Sequence, residues 1–243
     1  MSEFNYNRDY NTAAYHDSGV STAVAENSVF RNVYLWMCGA LTITGLVAYY
    51  VASNPSVMYS IFSRTPMIFY GLLIAEFVLV IALTAAINKI SALTATLMFL
   101  LYSVINGVTL SAIFVIYTMG SIATAFFVTA GTFGAMAIYG SVTKTDLTKV
   151  GNICIMGLIG IIIAALVNIF LKNEMMEMII SIVAVLVFVG LTAYDTQKIK
   201  QMLWNAEVND TTQKLAVLGA LTLYLDFINL FLQILRLFGN RRS

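Results

Sequence analysis

The sequence predicts an all-α, polytopic membrane protein with seven transmembrane helices, and three observations predict it. Of 243 residues, 60% are hydrophobic and only 10% are charged, with a mean hydropathy of +0.85. A soluble domain of this size needs a more polar surface to face water. The polar residues are also clustered, which leaves apolar runs of about 20 residues, the length at which a helix crosses the hydrocarbon layer. The links between those runs are short, such as "SNPSVMYSIFSRTP" (53–66) and "GSVTKTDLTK" (140–149), and leave no room for a large soluble domain. The lipid bilayer is the partner this composition demands. A net charge of +1 gives no reason to expect nucleic acid.

Residues 1–31 are rich in Asn, Ser, Asp and Tyr and lack the apolar core of a signal peptide, so a polar flexible tail is expected. Residues 32–238 form the seven-helix domain, and 239–243 a short basic tail. The apolar segments run over 33–52, 67–87, 93–117, 121–139, 151–171, 178–194 and 215–238. Trp36, Tyr49, Tyr50, Tyr117, Tyr139 and Trp204 fall near segment ends, where amphipathic rings favour the interface. Ala130, Gly131, Gly134 and Ala135 would allow close helix contact in the fourth segment, within the chain or in a homo-oligomer. Cys38 and Cys154 lie inside apolar runs and read as buried free thiols, and the single His16 reads as solvated.

Lys and Arg set the orientation, because they concentrate on the cytoplasmic side. With the amino terminus and links 2–3, 4–5 and 6–7 on one side, that side carries Arg8, Arg31, Lys89, Lys144, Lys149, Lys198, Lys200 and Lys214. The other links carry only Arg64 and Lys172. The amino terminus is therefore expected in the cytoplasm. Arg236, Arg241 and Arg242 then conflict with seven full crossings, and two readings stay open. Either the seventh segment is re-entrant, or the rule is outvoted at the last helix.

The polar residues inside the apolar runs carry the functional signal. Thr222, Asp226, Asn229 and Gln233 are spaced 4, 3 and 4 apart and make one polar stripe on a helical face. Helix packing through hydrogen bonds accounts for the threonine and the amides. It accounts poorly for an ionised carboxylate, which needs a partner or water. A second aspartate, Asp195 in "GLTAYDTQKIK" (190–200), would meet Asp226 if its helix continues toward Trp204; alone it reads as an interfacial residue facing water. Glu76 lies mid-segment in "LLIAEFVLVIA", and Ser103, Asn106 and Thr109 share a face of the third segment, with Asn168 in the fifth. The interior thus holds acids but no Lys or Arg, since Lys89, Lys172 and Arg236 stand at segment ends and can snorkel outward. Close carboxylates share a proton. An acidic lining without fixed cations favours protons or metal cations over anions.

These residues, and above all "GLTAYDTQKIK" followed by "GALTLYLDFINLFLQILRLFGNRR" (219–242), resemble the Bax inhibitor-1 family in its bacterial inner-membrane branch. The resemblance covers all seven segments. It implies six helices around a central seventh, and a pH-sensitive calcium leak governed by an aspartate pair that corresponds to Asp195 and Asp226, with Glu76 as the family's acid in helix two. Bacterial relatives carry an arginine cluster that latches onto the pair; here the stretch reads "AINKIS", with Ile87 and Lys89.

The expectation is a non-enzymatic leak channel with Asp195, Asp226 and Glu76 as pH sensor and ion path, and Thr222, Asn229, Gln233 and Asn106 as supporting polar groups. Asp195 and Asp226 would bind calcium weakly and transiently, as the transported ion and not as a cofactor. Two other classes compete. A regulatory protein would bind membrane proteases or other membrane partners. An intramembrane aspartyl protease would use the pair on water, but its Gly-x-Gly-Asp element is replaced here by "LYLD" (223–226).

Overall fold

The computed structural model describes the backbone of residues 6–64, 66–203 and 209–242, and side chains from Val29 onward apart from Ser63, Arg64 and Pro66. The helices are α1 (Tyr6–Ser53), α2 (Pro55–Tyr59), α3 (Pro66–Ala86), α4 (Ala92–Leu110), α5 (Ile113–Ile116), α6 (Met119–Val142), α7 (Thr148–Leu171), α8 (Glu174–Leu203) and α9 (Asp210–Phe238). A π turn, Ser60–Arg64, joins α2 to α3. Seven spans within these helices are long and apolar enough to cross a membrane, and the protein is an all-α polytopic membrane protein. α1 begins at Tyr6, inside the stretch expected as a tail, and its apolar span begins at Val29. The side chain of His16, and Trp204 altogether, lie outside the described residues.

Local chemistry sets the boundaries. The chain's two prolines, Pro55 and Pro66, each open a helix, where the missing N–H costs nothing. Ser91 caps α4 by accepting from the Thr94 N–H, and Asn209 with Thr212 forms a reciprocal capping box at α9. Lys172 ends α7 in the left-handed region at φ 49°, and the side-chain oxygens of Asn168 and Asn173 accept the next free N–H groups. The segment expected as one helix over 93–117 is broken. The Ser111 hydroxyl donates to the Val108 carbonyl at 2.6 Å, a local bond that competes with the helix ladder, and α5 follows after a turn.

Helix α9 is the centre, in contact with α1, α4, α6 and α8. Two thirds of its apolar window is buried (67%), against 6% for the spans in α3 and α7, which form an outer layer on α4 and α8. Its 29 residues extend about 44 Å, more than a bilayer's hydrocarbon thickness. At the far end the Thr118 N–H donates to the Asn240 carbonyl, and the Arg242 N–H to the Ile116 carbonyl. The tail thus meets the α5–α6 connection, while the start of α9 meets the start of α4 through the Ala92 N–H and Asp210. The seventh helix crosses the whole bundle; the re-entrant reading does not hold.

Close crossings use glycines other than those expected. A Cβ on Gly140 would collide with the Ala193 carbonyl, one on Gly107 would lie 2.7 Å from the Thr44 carbonyl, and one on Gly151 would enter the Tyr194 ring. Gly131 and Gly134 instead face open space. Cys38 is exposed on the outer surface, whereas Cys154 is buried. Tyr117, expected at the interface, is buried.

Candidate functional site

α8 continues to Leu203, two turns past Asp195, so Asp195 lies within the helix and not at its end. Three contacts fix this part of α8. Gly140 of α6 admits the Ala193 carbonyl, Gly151 of α7 receives the Tyr194 ring, and Cys154 of α7 packs against Gly190 and lies beside Asp195. Gln197, half a turn beyond, is buried and grips the α6–α7 connection. Its Oε1 accepts from the Leu147 N–H and its Nε2 donates to the Thr145 carbonyl, both at 2.9 Å. The Lys200 ammonium adds a bond to the Ser141 carbonyl at 2.7 Å.

Against this segment α9 sets Asp226, only 5% exposed. The Asp195 and Asp226 carboxyls lie close enough for each to act on the other's protonation, and Oδ2 of Asp226 is buried without a hydrogen-bond partner. The cation that acts on Asp195 is Lys198, one turn along the same helix, exposed and stacked 5.7 Å from the Tyr194 ring centre. It is not seated between the carboxyls. Ile87 is buried in the apolar core and Lys89 is exposed, so the "AINKIS" stretch offers the pair no arginine. Two carboxyls in contact cannot both stay ionised cheaply in such a setting, and a proton between them converts repulsion into a hydrogen bond.

The remaining expected residues are distributed differently. Thr222 and Asn229 donate to their own helix, to the Leu218 and Leu225 carbonyls. Besides Asp226, Gln233 remains as an open polar group of the stripe, with a buried, unpartnered Oε1. Glu76 is bonded elsewhere. Its Oε2 accepts from Asn106 Nδ2 at 3.1 Å, Asn106 Oδ1 accepts from the Tyr224 hydroxyl at 2.9 Å, and that hydroxyl lies 2.7 Å from Thr44 Oγ1. Thr44 also reaches the Ser103 carbonyl at 2.9 Å. This chain of bonds joins α3, α4, α9 and α1. Among the described residues, no group of three or more His, Cys, Asp or Glu side chains converges as a metal centre. The pair offers carboxylate oxygens, the donor type of a hard cation.

Reading the sequence missed Tyr224, Thr44 and Gln197. Tyr224 did carry a signal: it stands in mid-segment, away from the interface where tyrosines gather. Two residues before Asp226, it also points to a roughly opposite face of α9. Gln197 and Thr44 had none beyond being polar in or beside an apolar run.

A central helix carrying a buried carboxylate, paired with a second from the preceding helix, defines a seven-helix membrane protein built around an aspartate pair. The chain belongs to the family described as "Inhibitor of apoptosis-promoting Bax1", whose sequence profile matches residues 26–243. It is 50% identical over 228 residues to the "Inner membrane protein YbhL" of Escherichia coli K12, covering 93% of this chain and 97% of that one. A Borreliella burgdorferi protein is 48% identical over 221 residues, covering 90% and 94%. The Rickettsia prowazekii protein RP147 is 42% identical over 213 residues, covering 87% and 89%.

Proposed function

We propose that this protein is a pH-sensitive cation leak of the bacterial inner membrane, passing calcium and governed by a proton shared between Asp195 and Asp226. The observation that carries the reading is the approach of these two carboxyls at the α8–α9 interface, where neither is ion-paired to a Lys or Arg among the described residues. With the proton present, the pair is a hydrogen-bonded tie between α8 and the central helix. Without it, two negative charges repel and offer oxygens to a cation. The leak is therefore tied to the proton's departure or arrival. The localisation is supported by the name of the E. coli relative and by the seven spans.

Asp146, on the α6–α7 connection outside the spans, does not account for the response. The Thr148 hydroxyl and N–H bonded to it hold its carboxyl below the usual carboxylate range, so it stays ionised at neutral pH. An aspartyl protease is disfavoured because Leu223 and Leu225 stand where that class has glycines. Leu223 is fully buried and Leu225 packs on the core, so large side chains occupy the positions beside Asp226 that glycines would leave open.

Purified protein in liposomes should release calcium at a rate that changes between about pH 6 and 8, where shared carboxyl protons titrate, and should cleave no added membrane substrate. Cleavage, or a flux flat across that range, contradicts the reading. The orientation is tested separately. Lys89, Lys144, Lys149, Lys198, Lys200 and Lys214 cluster at the end where α9 begins, so cysteines replacing Thr145 and Gln213 should label from the cytoplasm, and one replacing Asn240 from the opposite face.

A further inference from the structure

At the other end of the α8–α9 contact lies a pocket of about 330 Å³, lined by Glu174, Glu177 and Ser181 of α8 and by Arg236 and Arg241. Ser181 is fully buried, yet its Oγ has no hydrogen-bond partner. A helical hydroxyl ordinarily donates to the carbonyl one turn back, as Thr192 of the same helix does to Phe188 at 2.8 Å. Ser181 does not, and it faces the pocket. Arg236 meets Glu177 at 3.6 Å, and both side chains are partly exposed, so this is a loose pair that an incoming ion can displace.

Glu177 pairs with Arg236 toward one end of the α8–α9 contact, and Asp195 faces Asp226 toward the other. Ser181 and Gln233 fall between them along the axis. Gln233 follows Asp226 by seven residues and so shares its face two turns on. The unpartnered oxygens of Ser181, Gln233 and Asp226 therefore follow one another along a single seam. Each is an oxygen that can accept from water or ligate a hard cation, and buried oxygens of this kind are ordinarily satisfied by one or the other.

We infer that this pocket is the second mouth of the cation path, where Glu174, Glu177 and Ser181 receive a hydrated divalent cation and Arg236 stands in for that cation when the mouth is empty. The inference rests on the leak reading and names the site where the ion meets the seam on the carboxyl-terminal face.

A Ser181→Cys variant, with Cys38 and Cys154 changed to Ala, is reconstituted in vesicles and exposed to a membrane-impermeant cationic methanethiosulfonate on the carboxyl-terminal face. The thiol should be modified, several-fold faster when Arg236→Gln is added, and more slowly when millimolar calcium is present. In flux, Arg236→Gln should raise calcium release several-fold and Glu177→Gln should lower it, neither moving the pH midpoint. A thiol that stays unmodified, or a modification rate that calcium and Arg236→Gln leave unchanged, overturns the inference. A pH-dependent flux with an unmodified thiol removes this mouth but not the leak. Calcium-slowed modification without any wild-type flux removes the leak but leaves the cation pocket standing.

Discussion

Two acidic groups inside the membrane spans, the half-buried Glu76 and the buried Asp226, sit in different kinds of company. Glu76 heads a chain of polar contacts through Asn106, Tyr224 and Thr44 that reaches from the outer helix α3 to α1, and the group that meets its Oε2 is a neutral amide donor. Asp226 faces another carboxyl, and the polar atoms along its seam are oxygens without donors. The first arrangement ties four helices together and so acts as a brace, although Glu76 Oε1 is buried without a partner, as Asp226 Oδ2 is. The second is completed only by a proton, a cation or water, and so responds to all three. A carboxylate's depth in the membrane therefore says less about its role than whether its neighbours are donors or acceptors.

The difference predicts a graded set of outcomes. The largest effect falls on the pair. Asp195→Asn and Asp226→Asn preserve volume but remove the shared proton, and each should abolish most of the pH response of calcium flux in liposomes. The double variant should add little, because the two residues act as one unit. A single variant that keeps the wild-type pH profile would return Asp226 to the status of a packing residue.

A smaller effect, of another kind, is expected in the brace. Tyr224→Phe removes the hydroxyl between Asn106 and Thr44 and should lower stability by about 1–3 kcal/mol, the cost of leaving a buried acceptor unsatisfied. Thermal unfolding in detergent measures this loss, and the pH midpoint of flux should stay in place. The smallest effect is expected at Glu76. Glu76→Gln retains an acceptor for Asn106, and its stability cost should stay below about 1 kcal/mol, typical of single polar contacts between membrane helices. A shifted flux midpoint in this variant would break the contrast between the two regions and assign Glu76 to the sensor.

How much of this was legible in the sequence follows the same division. The seven spans, the helical continuation past Asp195 and the meeting of Asp195 with Asp226 follow from apolar run length, the absence of breakers and helical spacing. Periodicity, however, reports only which residues share a face. It grouped Thr222 and Asn229 with Asp226, whereas both satisfy themselves on their own helix. Glu76 joined the pair through its mid-segment position and the family resemblance, and the Asn106 amide that meets it comes from α4, a neighbour that no local pattern encodes. Gly131 and Gly134 matched a packing motif, yet Gly107, Gly140 and Gly151, isolated in the sequence, make the close crossings. The full crossing of α9 was hidden because charge counts weigh the basic tail, whereas backbone bonds to the α5–α6 connection hold it at the far end.

The central claim is that a proton shared by Asp195 and Asp226 comes and goes near neutral pH. Infrared difference spectroscopy on the reconstituted protein observes it directly, through the carbonyl stretch of a protonated carboxyl group. The wild-type protein should show such a band titrating between about pH 6 and 8, and Glu76→Gln should keep it. Asp195→Asn and Asp226→Asn should each remove it or shift it out of that range. A titrating band that survives in both aspartate variants and vanishes in Glu76→Gln would contradict the account and move the sensor to the brace.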